Sequence, residues 1–292
     1  MQNSKETVLS FRQRYGRPPI IGAAFAGLLV LSPIIMGGNP FLIFFSLGGL
    51  IIVVGGVITV SFMSFDAAEV HKALHVIVRM FKQEKAPPEN LHSDVTAIIY
   101  CARLLMEKKG VRNLESVITK SGIRDPFLKY GLNMVLSDYT PDEIRAMLET
   151  AADAAYEREN VTVDILQAMT SHGPAFGMVG TLVGMVAMLC NLTDNVSEIG
   201  PSLAVAFLST LYGVLSARML YIPAASKLRQ EVDNRRFRNH LVTEGMVMLV
   251  AKKSPMYVQD RLNGFLRPES YDYFDITQAA RATAAIQAVA AA

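Results

Sequence analysis

The chain has no tryptophan and only two cysteines among its 292 residues, and it lacks the usual marks of catalysis. No glycine-rich phosphate loop separates a strand from a helix; Gly177, Gly180 and Gly184 fall inside an apolar stretch at helical spacing, where close helix packing is their expected use. No serine, histidine and acid combine into a nucleophile elbow. His71 and His75 stand four apart without a nearby cysteine or suitably spaced carboxylate, so the expectation is a solvated helix face and no metal site. No internal period of about 20 to 50 residues points to a repeat array. An enzyme is not expected, nor a bound cofactor.

Apolar residues fill that space. They make up 51% of the chain, and four stretches approach the roughly 20 residues needed to cross a bilayer: Ile20 to Met36, Phe41 to Phe62, Pro174 to Leu192 and Pro201 to Pro223. The first two are separated by Gly37, Gly38, Asn39 and Pro40, which is turn chemistry, so they form a hairpin. A charged flank without a small-residue cleavage site argues that the first span is retained. Within the last two stretches the first charged side chain is Arg218, yet Gly, Ser, Thr and Pro crowd both. A lipid anchor needs only apolar residues. Small residues let backbones approach, and hydroxyls in an apolar span serve as hydrogen-bonding or ion-contacting groups, so these helices are expected to pack against something polar.

Lys and Arg set the orientation. Lys5, Arg12, Arg14 and Arg17 precede span one; Lys72, Arg79, Lys82 and Lys85 follow span two; Arg218, Lys227, Arg229, Arg235 and Arg236 attend the end of span four. The short connections 37–40 and 191–200 have none. The positive-inside rule then predicts four transmembrane helices with both termini and one large loop in the cytoplasm. The net charge of +2 is a topological signal, and no nucleic-acid partner follows from it. Cys101 and Cys190 fall on opposite sides of such a membrane and cannot pair.

The fold class is all-α: four transmembrane helices with a large helical cytoplasmic loop. Its expected parts are a cytoplasmic segment 1–19, a transmembrane hairpin 20–62, a helical cytoplasmic domain 63–172, spans three and four over 173–223, and a cytoplasmic C-terminal helix and tail 224–292. In the loop, Val70, Leu74, Ile77, Val78 and Phe81 recur at helical spacing. Helices are expected from Asp94 to Lys109 and from Pro126 to Ser137. Thr140, Pro141, Asp142 and Glu143 start a long helix with a hydroxyl cap, proline at the first position and acids in the first turn. Its inner face reads Ile144, Leu148, Ala151, Ala155, Thr162, Ile165 and Met169, and it runs straight into span three. A charged helix from Lys227 to Lys252 follows span four.

From Pro174 to Leu228 the sequence PAFGMVGTLVGMVAMLCNLTDNVSEIGPSLAVAFLSTLYGVLSARMLYIPAASKL resembles the third and fourth spans of the MotA/PomA flagellar motor stator family, its PomA-type members in particular. The likeness extends through VVGGVITVSFM and MEKKGVRNLES. It implies a homopentamer in the bacterial inner membrane around a MotB/PomB-type partner whose single span carries an aspartate. Cations, Na+ or H+, cross at that interface and drive torque on the rotor protein FliG. The partner's carboxylate would supply the acid these spans lack.

By the same resemblance, Pro174 and Pro223 match the family's two prolines at the cytoplasmic ends of spans three and four. Thr181 and Thr210 match hydroxyls of the ion path, with Ser209 beside them; back-bonding to a carbonyl one turn earlier is the other reading for each. Gly177, Gly180, Gly184 and Gly213 are the packing glycines. Lys108, Lys109 and Glu115 stand where the family carries its rotor-contacting charges, with Glu107 in place of the usual Arg; Arg112, unexpected within the family's normally apolar turn, is grouped with them, and a solvated helix surface is the alternative for each. Two other functions fit part of the pattern. An energy-transducing channel of the TolQ/ExbB kind is expected to have three spans, so the 20–62 hairpin speaks against it; a non-conducting membrane scaffold would use the small residues for packing alone.

Overall fold

A computed structural model describes residues 44–82, 91–106, 112, 114–115, 125–137, 139–192, 197 and 199–266. Every regular element among them is helical: α1 Leu47–Ser64, α2 Ala67–Lys82, α3 Leu91–Met106, α4 Pro126–Val135, α5 Pro141–Cys190, α6 Ile199–Val250 and α7 Pro255–Asn263. Three of them, α1, α5 and α6, are long and apolar enough to cross a membrane. The fourth expected span, Ile20 to Met36, lies outside the described residues, as do Lys108 and Lys109. The chain divides into two units, residues 1–84 with 161–229 and residues 85–160 with 230–292.

In the first unit, α1 opens on Ser46, whose extended backbone lets its Oγ accept the Gly49 N–H at 3.3 Å. The helix widens into a π-helical run over Ile51–Gly55 and ends at extended Phe65. The carbonyl of Asp66 accepts the first N–H groups of α2, from Glu69 and Val70. Helix α2 is amphipathic as expected, but its buried stripe is Val70, Ala73, Ile77 and Met80, spaced three and four apart. Val78, expected inside, is half exposed; the ridge is completed instead, one turn before Ile77, by Ala73, whose small side chain the periodicity reading overlooked. The stripe packs against Ile165, Leu166 and Met169 of α5 and Tyr221, Ala224 and Ala225 of α6. His71, Lys72 and His75 face outward. Thr162 is buried on α5 and donates to Glu69 Oε2 at 3.2 Å, which joins α2 to α5.

The second unit has its own core, in which Ile98 of α3, Leu114, Leu128 and Leu132 of α4, Ile144 and Leu148 of α5, Leu241, Met246 and Leu249 of α6, and Leu262 of α7 meet. Helix α5 begins with a reciprocal cap: Thr140 Oγ1 accepts the Glu143 N–H at 3.4 Å and Glu143 Oε2 accepts the Thr140 N–H at 2.9 Å. The Thr140 N–H and the Thr140 hydroxyl, which donates to Glu143 Oε2 at 2.8 Å, hold the Glu143 carboxyl below its ordinary range. The inner face of α5 runs through Ala152, where the periodicity reading put Ala151 and Ala155. Helix α3 is helical already at Leu91, three residues before the expected start at Asp94, and the expected end at Lys109 lies outside the described residues.

Charge pairs border this core. Arg145 meets Glu244, Arg235 meets Glu159, and Arg236 reaches Asp153 at 2.9 Å while its guanidinium lies 4.4 Å from the Tyr156 ring centre. Such exposed pairs contribute about 0–1 kcal/mol each. Helix α6 turns into α7 through Lys252, which adopts φ 49° and lets the Lys253 N–H reach the Met248 carbonyl at 3.1 Å. Ser254 then caps α7, with Pro255 at its first position.

Candidate ion-path site

Small residues bring α5 and α6 into backbone contact. A methyl group placed on Gly213 would lie 2.6 Å from the Gly173 carbonyl oxygen and 3.1 Å from the Gly177 Cα; one on Gly184 would lie 2.7 Å from the Ala206 nitrogen; one on Gly177 would lie 3.2 Å from both the Ser209 carbonyl oxygen and the Thr210 Cα. The neighbours are main chain, so no rotamer change relieves them. Gly177, Gly184 and Gly213 form one seam with Gly173, whereas a methyl on Gly180 would meet a side chain, 2.3 Å from the Ser209 Cβ. Helix α1 closes on the same place: a methyl on Gly56 would lie 2.2 Å from a ring carbon of Phe176, and one on Gly49 would lie 2.8 Å from Ser209 Oγ.

The three sequence-predicted hydroxyls take different places around this seam. Ser209 is fully buried where α1, α5 and α6 meet, and donates to the Val205 carbonyl at 2.6 Å. Thr181 is half-buried and donates to the Met178 carbonyl at 2.6 Å. Thr210 is more exposed and reaches across to the Gly177 carbonyl of α5 at 3.5 Å, the outer limit of a hydrogen bond. Thr181 follows Gly177 by four residues and so lies on the same face of α5, one turn along. Each Thr hydroxyl spends its only proton on a carbonyl. Its lone pairs stay free for an electron-poor visitor.

Both prolines lie within continuous helices. Pro174 interrupts α5 without ending it, and leaves the Thr170 carbonyl without its helical N–H. Pro223 follows a π-helical run over Ser216–Tyr221, which loosens the turn that the proline ring would otherwise strike. Ser216 Oγ donates to the Gly213 carbonyl at 3.0 Å, inside the same seam.

Tyr212 is the residue that sequence reasoning missed. Its hydroxyl accepts the Ser46 N–H at 2.8 Å and donates to the Phe44 carbonyl at 2.6 Å, and so serves both polar groups at the entry of α1. A tyrosine in an apolar span has to find a partner for its O–H, and that was the available signal. Among the expected rotor-contacting charges, Arg112 and Glu115 are exposed on either side of fully buried Leu114.

The outer surface of these helices is apolar. Met178, Leu182, Met185, Val186 and Leu189 of α5, Phe207 of α6, and Leu47 and Ile51 of α1 are exposed. A contiguous apolar face of this kind on helices of spanning length is a membrane-embedded or chain-covered surface. The apolar parts of α5 and α6 contain no Asp or Glu.

Residues 119–239 match the sequence model of the MotA/TolQ/ExbB proton channel family. Motility protein A of Aquifex aeolicus is 33% identical over 214 residues, 73% of this chain and 82% of that protein. Chemotaxis protein PomA of Vibrio alginolyticus is 29% identical over 247 residues, 85% of this chain and 94% of that protein. Among solved structures, C. jejuni MotAB superposes with a TM-score of 0.75 at 22% identity, covering 88% of this chain and 98% of the matched one, and so shares the fold.

Proposed function

The chain belongs to the MotA/TolQ/ExbB proton channel family, and from that premise we propose that it is a flagellar motor stator subunit, one part of a cation channel that couples ion flow to torque on the rotor. The observation that carries this reading is the seam of Gly173, Gly177, Gly184 and Gly213, which brings two backbones together and leaves Thr181 and Thr210 beside a span surface with no acid of its own. A cation that sheds water in an apolar region needs replacement oxygens and a counter-charge. The threonine lone pairs supply the first. A MotB/PomB-type partner with an intramembrane aspartate supplies the second, with copies of this subunit arranged as a pentamer in the inner membrane.

Ser209, enclosed by three helices of its own subunit, holds the seam together and meets the ion only through the placement it gives Thr210. Pro174 and Pro223 soften α5 and α6 so that changes at the ion site reach the cytoplasmic helices, and the charges around Leu114 meet the rotor protein FliG. Oxygen ligands favour sodium, which binds several at once, whereas a proton needs the carboxylate and a water. The test is swimming speed against sodium concentration, with and without an uncoupler, in cells whose only stator contains this chain and its partner. Thr181→Val and Thr210→Val are expected to leave the complex assembled and to cut sodium-driven speed severely. Unchanged speed in both single variants and in the double variant, at every sodium concentration, would leave the hydroxyls as packing groups.

A further inference from the structure

One guanidinium ties two helix starts together in the second unit. Arg238 of α6 has a side chain only 12% exposed; its partners are Asp94, in the first turn of α3 and 2% exposed, and Asp125, the N-cap of α4 and 21% exposed. Nε donates to Asp94 Oδ2 at 2.5 Å and Nη2 to Asp94 Oδ1 at 3.1 Å, while Nη1 donates to Asp125 Oδ2. The other oxygen of Asp125 accepts the Leu128 N–H at 2.9 Å, so one carboxylate both caps α4 and receives the arginine. Burial pulls the Arg238 pKa down, but the bonds to Asp94 and Asp125 outweigh it and hold it above its ordinary value, so the group stays charged.

Between α3 and α4 lies the segment in which Leu114 is fully buried in the same core and Arg112 and Glu115 are exposed beside it. Without the cation, the buried carboxylate of Asp94 and the partly buried one of Asp125, from the helices flanking that segment, would face each other, and like charges in a poorly solvated place repel. A lysine at 238 would keep the charge, but a point ammonium cannot reproduce the fork that meets two carboxylates at once.

We propose that Arg238 is a positioning residue for rotor contact, fixing α3 against α4 and thereby the placement of the exposed charges Arg112 and Glu115. This rests on the reading of the chain as a stator subunit. In the full complex with its partner, and with Cys190→Ser, spin labels at exposed Met106 of α3 and Tyr130 of α4 report the distance between the helices. Arg238→Lys should broaden that distribution and Arg238→Gln should broaden it more, with torque per assembled complex down severalfold and ion flux per complex unchanged. Adding Asp94→Asn to Arg238→Gln removes the facing charge and should restore most of the narrow distribution and part of the torque, a rescue that general destabilisation would not give. Unchanged distributions in both single variants overturn the proposal. So does torque that falls only in proportion to complex abundance, or broadening with normal torque per complex. A wild-type complex that conducts ions and turns no rotor sinks the stator reading separately, because the spin-label distances are read without it.

Discussion

Adding one methyl group at Gly213 tests the helix seam directly. The new carbon would sit 2.6 Å from the Gly173 carbonyl oxygen, against 3.4 Å for ordinary contact, so α5 and α6 must part by about 0.8 Å, the difference between those distances. Main chain lies on both sides, and the shift is transmitted to Gly177, whose Cα is 3.1 Å from the same point. Overpacking of this kind costs about 1–3 kcal/mol. An alanine also gains about 1 kcal/mol over glycine in a helix, which partly masks the clash. Gly55→Ala provides the correction: it lies in an apolar span too, and its added methyl meets nothing within 4 Å. The propensity gain is common to both variants, so the difference between them isolates the clash.

Heating the purified complex and following intact assembly gives the readout. At roughly 2–4 °C per kcal/mol for chains of this size, Gly213→Ala should melt about 2–12 °C below Gly55→Ala. Gly184→Ala, with a backbone nitrogen 2.7 Å from its methyl, should behave like Gly213→Ala. Equal midpoints for Gly213→Ala and Gly55→Ala would refute the seam, because no side chain is available there to absorb the collision.

Three other outcomes follow from single contacts. Tyr212→Phe leaves the Ser46 N–H and the Phe44 carbonyl without their partner, and should cost about 1–3 kcal/mol for each group that stays dry; a melting midpoint equal to wild type would mean water replaces the hydroxyl. Glu244 is held below the ordinary carboxylate range, chiefly by its hydrogen bond from Arg145 against the opposing effect of burial. A depressed folded-state pKa adds stability that is present above the unfolded value and lost as pH falls through the folded one. The complex should therefore lose stability below about pH 4.5, and Arg145→Gln should flatten that part of the pH profile; an identical slope in the variant would show that other carboxylates dominate. A cysteine at Asn195 should react with a membrane-impermeant thiol reagent on intact cells, and one at Glu89 should not, once Cys101 and Cys190 have been replaced; labelling at Glu89 would overturn the orientation.

The elements that sequence made legible were those governed by local rules. The start of α5 could be read to the residue, because Thr140, Pro141 and Glu143 satisfy a cap that needs nothing from elsewhere in the chain. The glycines of the seam were legible because small residues at helical spacing in an apolar span have few other uses. Errors arose where alanine carries the packing. Periodicity put Val78 and Ala155 inside, but the buried ridges pass through Ala73 and Ala152, whose weak apolar signal hides how closely a neighbouring helix approaches.

Long-range polar contacts were illegible for a different reason. The partners of Arg238 are 144 and 113 residues away, and those of Tyr212 are 166 and 168 away. Nothing in the neighbourhood of Arg238 separates it from Arg235 and Arg236, which share its helix turn and pair with exposed acids. The distinction is burial: an arginine with 12% of its side chain exposed must find carboxylates, whereas its neighbours, at 49% and 42%, can use water. Burial is decided by the assembled core of Ile98, Leu128 and Leu241, so the role of Arg238 exists only once three helices have met. For that reason the charges expected to touch the rotor could be named from sequence, while the residue proposed to hold them in place could not.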